Sequence, residues 1–534
     1  MMKRVIAMVL TVLSVLSLTA CGSSESSAGS GYDGDTLVLR ICNWEEYIDE
    51  GGWDPEEETI DLESGDIIGE NSMVEDFEKW YKETYGKKIR VEYSTFGTNE
   101  DLYNQLTLGD VYDLVCPSDY MIMKLMSEKK LKPYSEEFFD ESIEDNYYIK
   151  GVSPYIKDIF EKNEINEESW SKYAAGYMWG TTGVVYNPEY ITEEEAGSWN
   201  IFRDKKFSRK ITVKDNVRDS MFAALGIVRS DELTRPAFVN SENYTEEIQR
   251  IMNDTSKETV DECEKVLREM RDVAYSFETD SGKADMVTGK VVANYQWSGD
   301  AVYTLDQAEE DGVWLAYSVP KECSNLWFDG WVMLKNGIGN DKERQQAAEA
   351  FVNFISRPDN AVRNMYYIGY TSTIAGGEDE TVAEYVDWTY GAEEEEGEDN
   401  EAVAPDEDDA DSNEEESADR SGDTDSDEEE DPEEEPELVD YDISYFFGKD
   451  VVITAEEDQL HRQLFAQYPT EEVIRRCAVM WYFDDDAQKR INRMWINIRC
   501  YDLRKAVLPL IIVAGIVLIL VGVVIIKKYR YNHR

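Results

Sequence analysis

The sequence predicts an α/β protein of two lobes, carrying a disordered acidic insertion and one C-terminal transmembrane helix. Three observations lead there. The first third alternates short apolar strands with helical patterns, which implies a parallel sheet covered on both faces. Setting an acidic tract aside, about 400 residues or more lie between positions 36 and 501, too many for one small core and enough for two lobes. An uncharged apolar run of about 21 residues at 506–526 is long enough, at ~1.5 Å per residue, to cross a ~30 Å hydrocarbon layer.

At the N-terminus, Lys3 and Arg4 precede an apolar stretch at 5–18 that is too short to span a membrane and reads as a signal peptide (1–20). It closes on Leu18-Thr19-Ala20-Cys21, and a Ser/Gly-rich tether follows to residue 35. Strands are expected over 36–42, 88–94 and 112–116, and helices over 73–85, 99–108 and 120–129. The Glu-, Asp- and Gly-rich stretch 51–69 reads as a surface insertion. Further on, 256–273 and 342–356 are amphipathic helices, the second ending at Arg357-Pro358.

The net charge is −61, and nothing offers a basic stripe for phosphates, so nucleic acid is excluded as a partner. About −27 of that charge sits in 391–440, which holds about 28 acids and one Arg. Such a tract buries too little apolar surface to fold and is expected to be disordered. It is either a solvated spacer or a polyanion that concentrates cations near the protein. Basic residues follow the 506–526 run (Lys527, Lys528, Arg530 and Arg534), which places a short tail, 527–534, in the cytoplasm and the folded part outside.

There are seven cysteines and two histidines. No C-x-x-C pair occurs, so neither a metal site nor a histidine-based triad has the material it needs. Cys42 and Cys116 end neighbouring expected strands. They, with Cys263, Cys323, Cys477 and Cys500, are either small buried thiols or, in an oxidising compartment, disulfide partners.

The segment Leu37-Val-Leu-Arg-Ile-Cys-Asn-Trp-Glu-Glu-Tyr47 is an apolar strand running into two aromatics and two carboxylates. Ring faces attract cations and acids neutralise them, so the pattern suits an organic cation. These residues resemble the opening of the bacterial spermidine/putrescine-binding proteins of polyamine ABC transporters. The resemblance continues through Tyr93-Ser-Thr-Phe-Gly-Thr-Asn-Glu-Asp-Leu-Tyr103, Tyr112-Asp-Leu-Val-Cys-Pro-Ser-Asp-Tyr120 and Tyr177-Met-Trp-Gly-Thr-Thr-Gly-Val-Val-Tyr186. It extends to Val213-Lys-Asp-Asn-Val-Arg-Asp-Ser220, Gln296-Trp-Ser-Gly-Asp300, Leu326-Trp-Phe-Asp-Gly330, Phe351 onward to Ala361, and Ile368-Gly-Tyr370. Leu18 to Cys21 resembles a lipobox, with Cys21 as the lipidated residue.

The resemblance implies the type II periplasmic-binding-protein fold, two lobes joined by hinge crossings. Lobe 1 would take 36–178 and 328–390, and lobe 2 would take 179–327 and 441–500. It implies no reaction and no cofactor. The protein would be an extracytoplasmic polyamine-binding subunit of an ABC importer, partnered by the permease and held to the membrane by the Cys21 lipid and the 506–526 helix. The implied ligand contacts are the aromatics Trp44, Tyr47, Tyr120, Trp297, Trp327 and Tyr370, the acids Glu46, Asp219 and Asp329, and the hydroxyl of Ser118. Two positions depart from the family pattern. Asn216 stands where well-known members carry an acid, and Glu45 stands where they carry a small hydroxyl. The acids are thus redistributed, which leaves spermidine versus putrescine open. Two other readings stay open on the residues alone: a solute-binding lipoprotein for another organic cation or nutrient, and an extracellular hydrolase built on a carboxylate pair.

Overall fold

The computed structural model describes residues 32–56, 58–392 and 436–500. The signal peptide with Cys21, the tether, the 506–526 helix and the basic tail lie outside those residues, as does most of the acidic tract. Among the described residues no helix is long and apolar enough to cross a membrane.

The first long strand, β1 (Thr36–Trp44), alternates with helices as the pattern requires; a two-residue strand, Tyr32–Asp33, folds back on its start antiparallel. It lies parallel to β2 (Ile89–Phe96) over its whole length and parallel to β3 (Leu114–Val115). Helix α1 (Met73–Tyr85) connects β1 to β2 and begins in a Ser72/Glu75 capping box, which satisfies two orphan backbone donors. Helices α2 (Asn99–Leu108) and α3 (Asp119–Ser127) follow β2 and β3.

Beyond this unit the sheet is mixed, with antiparallel and parallel pairs. Strands β4 (Ala174–Tyr186) and β8 (Ser324–Leu334) are antiparallel to each other. Every residue of both is buried, so neither shows the alternation that marks a half-exposed strand. The far half of β4 pairs with β7 (Ala293–Trp297), and β7 pairs with β5 (Ile211–Lys214), which in turn pairs with β6 (Ser276–Glu278). The β4–β8 pair therefore carries the chain out of one sheet region and into the next. Helices α4 (Val217–Val228), α5 (Lys257–Val273) and α6 (Ser298–Glu310) cover the second region. Helices α7 (Lys342–Ile355) and α8 (Pro358–Ile368) return to the first.

Buried apolar residues form two clusters, one around β1–β3, β8, α1 and α7, the other around β5, α4 and α5. The 51–69 stretch is more than a surface insertion. Trp53, Ile60, Leu62 and Ile67 are buried in the first cluster, and Ile60 and Ile67 bridge each other. Its acids conceal these apolar residues in the composition. The segment expected to lie wholly in lobe 2, 441–500, divides. A hairpin of β9 (Leu438–Asp442) and β10 (Val452–Glu456) sends Tyr445 and Phe446 against Tyr155 and Trp179, whereas Met480, Ile491 and Ile498 join the second cluster. Strand β9 also begins inside the tract expected to be disordered, because Leu438, Val439 and Tyr441 find ladder partners on β10.

The cysteines at 42, 116, 263, 323 and 477 are buried free thiols, and Cys500 is an exposed one. Cys42 and Cys116 are neighbours as their strands require, the Cys116 N–H donating to the Cys42 carbonyl at 3.1 Å.

Candidate functional site

Four buried aspartates converge where the two sheet regions meet. Three sit in the first turn of a helix: Asp119 on α3, Asp219 on α4 and Asp300 on α6. A helix N-terminus carries partial positive charge and favours a carboxylate there. The fourth, Asp329, lies on β8 at a register shift between Asp329 and Gly330.

Asp329 Oδ2 accepts a hydrogen bond from the Tyr47 hydroxyl at 2.9 Å, while its Oδ1 is buried and has no hydrogen-bond partner among the described residues. Burial pushes this carboxyl up to about 6, against the opposing pull of the Ser118 and Tyr47 hydroxyls. The Tyr47 ring stands edge-on to Tyr370, centroids 5.2 Å apart, and Tyr370 lies 5.7 Å from Trp327. Trp327 is fixed by its indole N–H, which donates to the Thr181 carbonyl at 3.0 Å. Three rings and a carboxylate thus share one corner.

A second corner adjoins the first through Tyr370. Trp297 ends β7, and Lys214 ends β5 with its ammonium 3.6 Å from the Trp297 ring centroid. That ammonium donates to Asp300 Oδ2 at 3.2 Å and to the Thr279 carbonyl at 3.2 Å. Asp300 also accepts from Lys283 Nζ at 3.3 Å and from the Tyr370 hydroxyl at 3.2 Å. Although burial acts the other way, Lys214 and Lys283 hold the Asp300 carboxyl below the usual carboxylate range. Burial pushes Asp219 up to about 6, moderated by Lys214, Trp297 and Arg218. Burial likewise drives Asp119 well above its ordinary value, and Asp329 adds to the rise.

Arg218 bridges the two regions. Its guanidinium lies 4.1 Å from the Tyr120 ring centroid and 3.6 Å from that of Phe483, and it donates to the Trp481 carbonyl. The Tyr120 hydroxyl accepts from Asn99 Nδ2 at 3.0 Å, and the same amide donates to Ser118 Oγ at 3.1 Å. Gly299 permits a close approach to Tyr370. A Cβ there would stand 2.2 Å from Cδ2 of Tyr370.

Of the residues the sequence nominates, the structure brings Tyr47, Ser118, Tyr120, Asp219, Trp297, Trp327, Asp329 and Tyr370 into this cluster. Trp44 is half-buried, 4.7 Å from Phe96 between ring centroids, and its buried indole nitrogen has no hydrogen-bond partner among the described residues. Glu45 and Glu46 stand exposed beyond β1, Glu46 with φ 53°. Asn216 uses its side-chain oxygen as the N-cap of α4, accepting from the Arg218 and Asp219 N–H groups. Sequence reasoning missed Asp119, Lys214, Arg218 and Asp300. All four lay inside motifs quoted for the family resemblance. The signal for Lys214 was a lone charge closing the otherwise apolar run Ile211-Thr-Val-Lys214.

The α/β architecture and the buried acid–aromatic cluster between two regions define a solute-binding class. The chain belongs to the bacterial extracellular solute-binding protein family, whose model matches residues 72–389. Over 353 residues it is 25% identical to the putrescine-binding periplasmic protein SpuD of Pseudomonas aeruginosa, covering 65% of this chain and 80% of that one. Among solved structures, the spermidine/putrescine ABC transporter substrate-binding protein PotD of Streptococcus pneumoniae superposes with TM-score 0.51 at 22% identity, covering 86% of this chain and 98% of its own. A putative spermidine/putrescine ABC transporter from Listeria monocytogenes gives TM-score 0.53 at 21% identity, covering 88% and 100%. At these identities the solved structures speak for the two-lobed fold alone.

Proposed function

We propose that this protein captures a polyamine cation between its two lobes, outside the cytoplasm, and delivers it to the permease of an ABC importer. The observation that carries the reading is Asp329. A buried carboxylate oxygen without a partner is costly, and a ligand ammonium supplies the missing donor. Tyr47, Tyr370 and Trp327 beside it provide flat walls for methylene spacers and cation–π attraction of about 0.5–2 kcal/mol per ring. The curated relatives that bind putrescine support the same ligand class. The ligand shifts the population toward a closed form, bounded by its differential affinity for that form. Lipidation at Cys21 and the 506–526 helix would keep the receptor at the membrane beside its permease.

The test is thermal unfolding of the full-length protein with putrescine, spermidine, an amino-acid panel and sugars. A ligand at 100 times its dissociation constant adds roughly 2.7 kcal/mol of stability, a readily measured rise in Tm. A rise with a polyamine is expected. Silence with every polyamine and a response to an amino acid or sugar would overturn the reading.

A further inference from the structure

Lys214 occupies the arrangement that a cation receptor builds for its ligand. Its side chain is 1% exposed, its ammonium lies over the face of Trp297, and a buried carboxylate, Asp300, takes its charge. The position is fixed from several directions. Lys214 pairs with Glu278 across the parallel β5–β6 ladder, its own carbonyl accepts from Ser220 Oγ at 2.6 Å, and Nζ reaches the Thr279 carbonyl. Asp300 is further occupied by Lys283 and Tyr370. One aromatic–carboxylate corner is thus filled by the chain's own ammonium, while the other, at Asp329, retains an unpartnered oxygen.

From this we infer that Lys214 is a specificity-determining residue, a resident ammonium that holds one cation position of the cleft and restricts the ligand to a short diamine. The inference rests on the polyamine reading above. A triamine needs a third ammonium paired or solvated, because a buried charge without a partner is strongly unfavourable. Arg218, packed between Tyr120 and Phe483, adds its positive charge beside Asp119 and Asp219, so an extra ammonium there meets a like charge. Lysine suits the role because its compact ammonium on a flexible stem reproduces the end of an alkylamine.

The experiment compares full-length wild type with Lys214→Met by calorimetric titration of putrescine and of spermidine. Methionine keeps an unbranched apolar stem against Trp297 and removes the charge. The wild type is expected to favour putrescine by about tenfold or more, and the variant to shift the putrescine-to-spermidine ratio toward spermidine by at least about tenfold. Lys214→Arg, which keeps the charge, is expected to retain the diamine preference. If Lys214→Met fails to fold, Lys214→Gln gives the same readout, since its amide still donates to Asp300 or Thr279 without the charge. A wild type that binds spermidine as tightly as putrescine, or a ratio unchanged in the folded variant, overturns the role of Lys214 and leaves the polyamine reading standing. No binding of either amine by wild type or variant overturns both.

Discussion

Replacing Asp329 by Asn separates what this carboxylate does for the fold from what it does for the ligand. In the folded chain burial pushes its carboxyl from an ordinary 3.8 up to about 6. Below about pH 4 the group is protonated in folded and unfolded chains alike and contributes no difference. Between about 4 and 6 the unfolded chain releases the proton and the folded chain retains it, so stability falls as pH rises. Above about 6 the full difference stands, about two units at 1.36 kcal/mol each, or about 3 kcal/mol. Of that, linkage places about 2 kcal/mol between pH 4.5 and 7.5. Asparagine keeps an acceptor for the Tyr47 hydroxyl and does not titrate. Any fixed cost of its new amide N–H group is the same at every pH, so the slope isolates the charge. Urea unfolding of full-length wild type and Asp329→Asn, without ligand, from pH 4.5 to 7.5 is expected to show the variant gaining about 2 kcal/mol on wild type across the range. Calorimetry at pH 7.5 is expected to show a loss of about 3–5 kcal/mol in polyamine affinity, roughly 10²- to 10⁴-fold, the cost of leaving a buried ammonium without its carboxylate. Parallel pH profiles would refute the burial argument, and binding within tenfold of wild type would refute the ligand role.

Three further outcomes are expected. Gly299→Ala places a Cβ 2.2 Å from the Tyr370 ring and should weaken polyamine binding by about 1–3 kcal/mol in a titration; unchanged affinity would mean that this approach is not needed for closure. Arg363 donates to buried Asp49 (Nε–Oδ2 2.7 Å) and to Asp76 (Nη1–Oδ2 2.8 Å), so Arg363→Met should cost about 3–5 kcal/mol in chemical denaturation, and a loss under about 1 kcal/mol would contradict the pairing. Deleting residues 393–435 should slow polyamine association about tenfold at low ionic strength and little at high salt in stopped flow, while an unchanged low-salt rate would assign the tract to a spacer. The flanking chain tolerates that deletion on geometric grounds. Ala392 N–H donates to the Thr454 carbonyl and Glu457 N–H to the Glu437 carbonyl, so both ends of the tract are tied near one strand.

Strand and helix placement was legible where local rules act without competition. The 73–85 helix begins at a Ser-x-x-Glu box and ends at Gly86 in the left-handed region, and both signals stand in the sequence. The expected strand at 112–116 shrinks to Leu114–Val115, where the ladder to β1 and β8 is complete, while Asp113 and Cys116 at its ends add backbone hydrogen bonds to Arg40 and Cys42. Trp53, Ile60 and Ile67 were hidden because acids and glycines outnumber them locally, although Trp53 is anchored by its indole N–H on Asp49 Oδ1 at 3.1 Å. Pairing across the whole chain, such as β4 with β8, joins residues about 150 positions apart and leaves no local mark.

The binding cleft divides along the same line. Rings and acids that follow a strand declare themselves, because aromatic–carboxylate clusters at strand ends are unusual. Whether a basic residue turns inward does not show in a single sequence. Lys214 and Arg218 are two of 53 lysines and arginines, and the surface ion pairs of this acidic protein use that residue type freely. Yet these two help decide how many positive charges the ligand brings. Four buried aspartates facing no internal cation would call for a long polyamine, whereas the same four with Lys214, Lys283 and Arg218 among them call for a short one. A reading that counts acids and rings recovers the ligand class. The ligand's length follows only after the internal cations are subtracted, and that subtraction requires the fold.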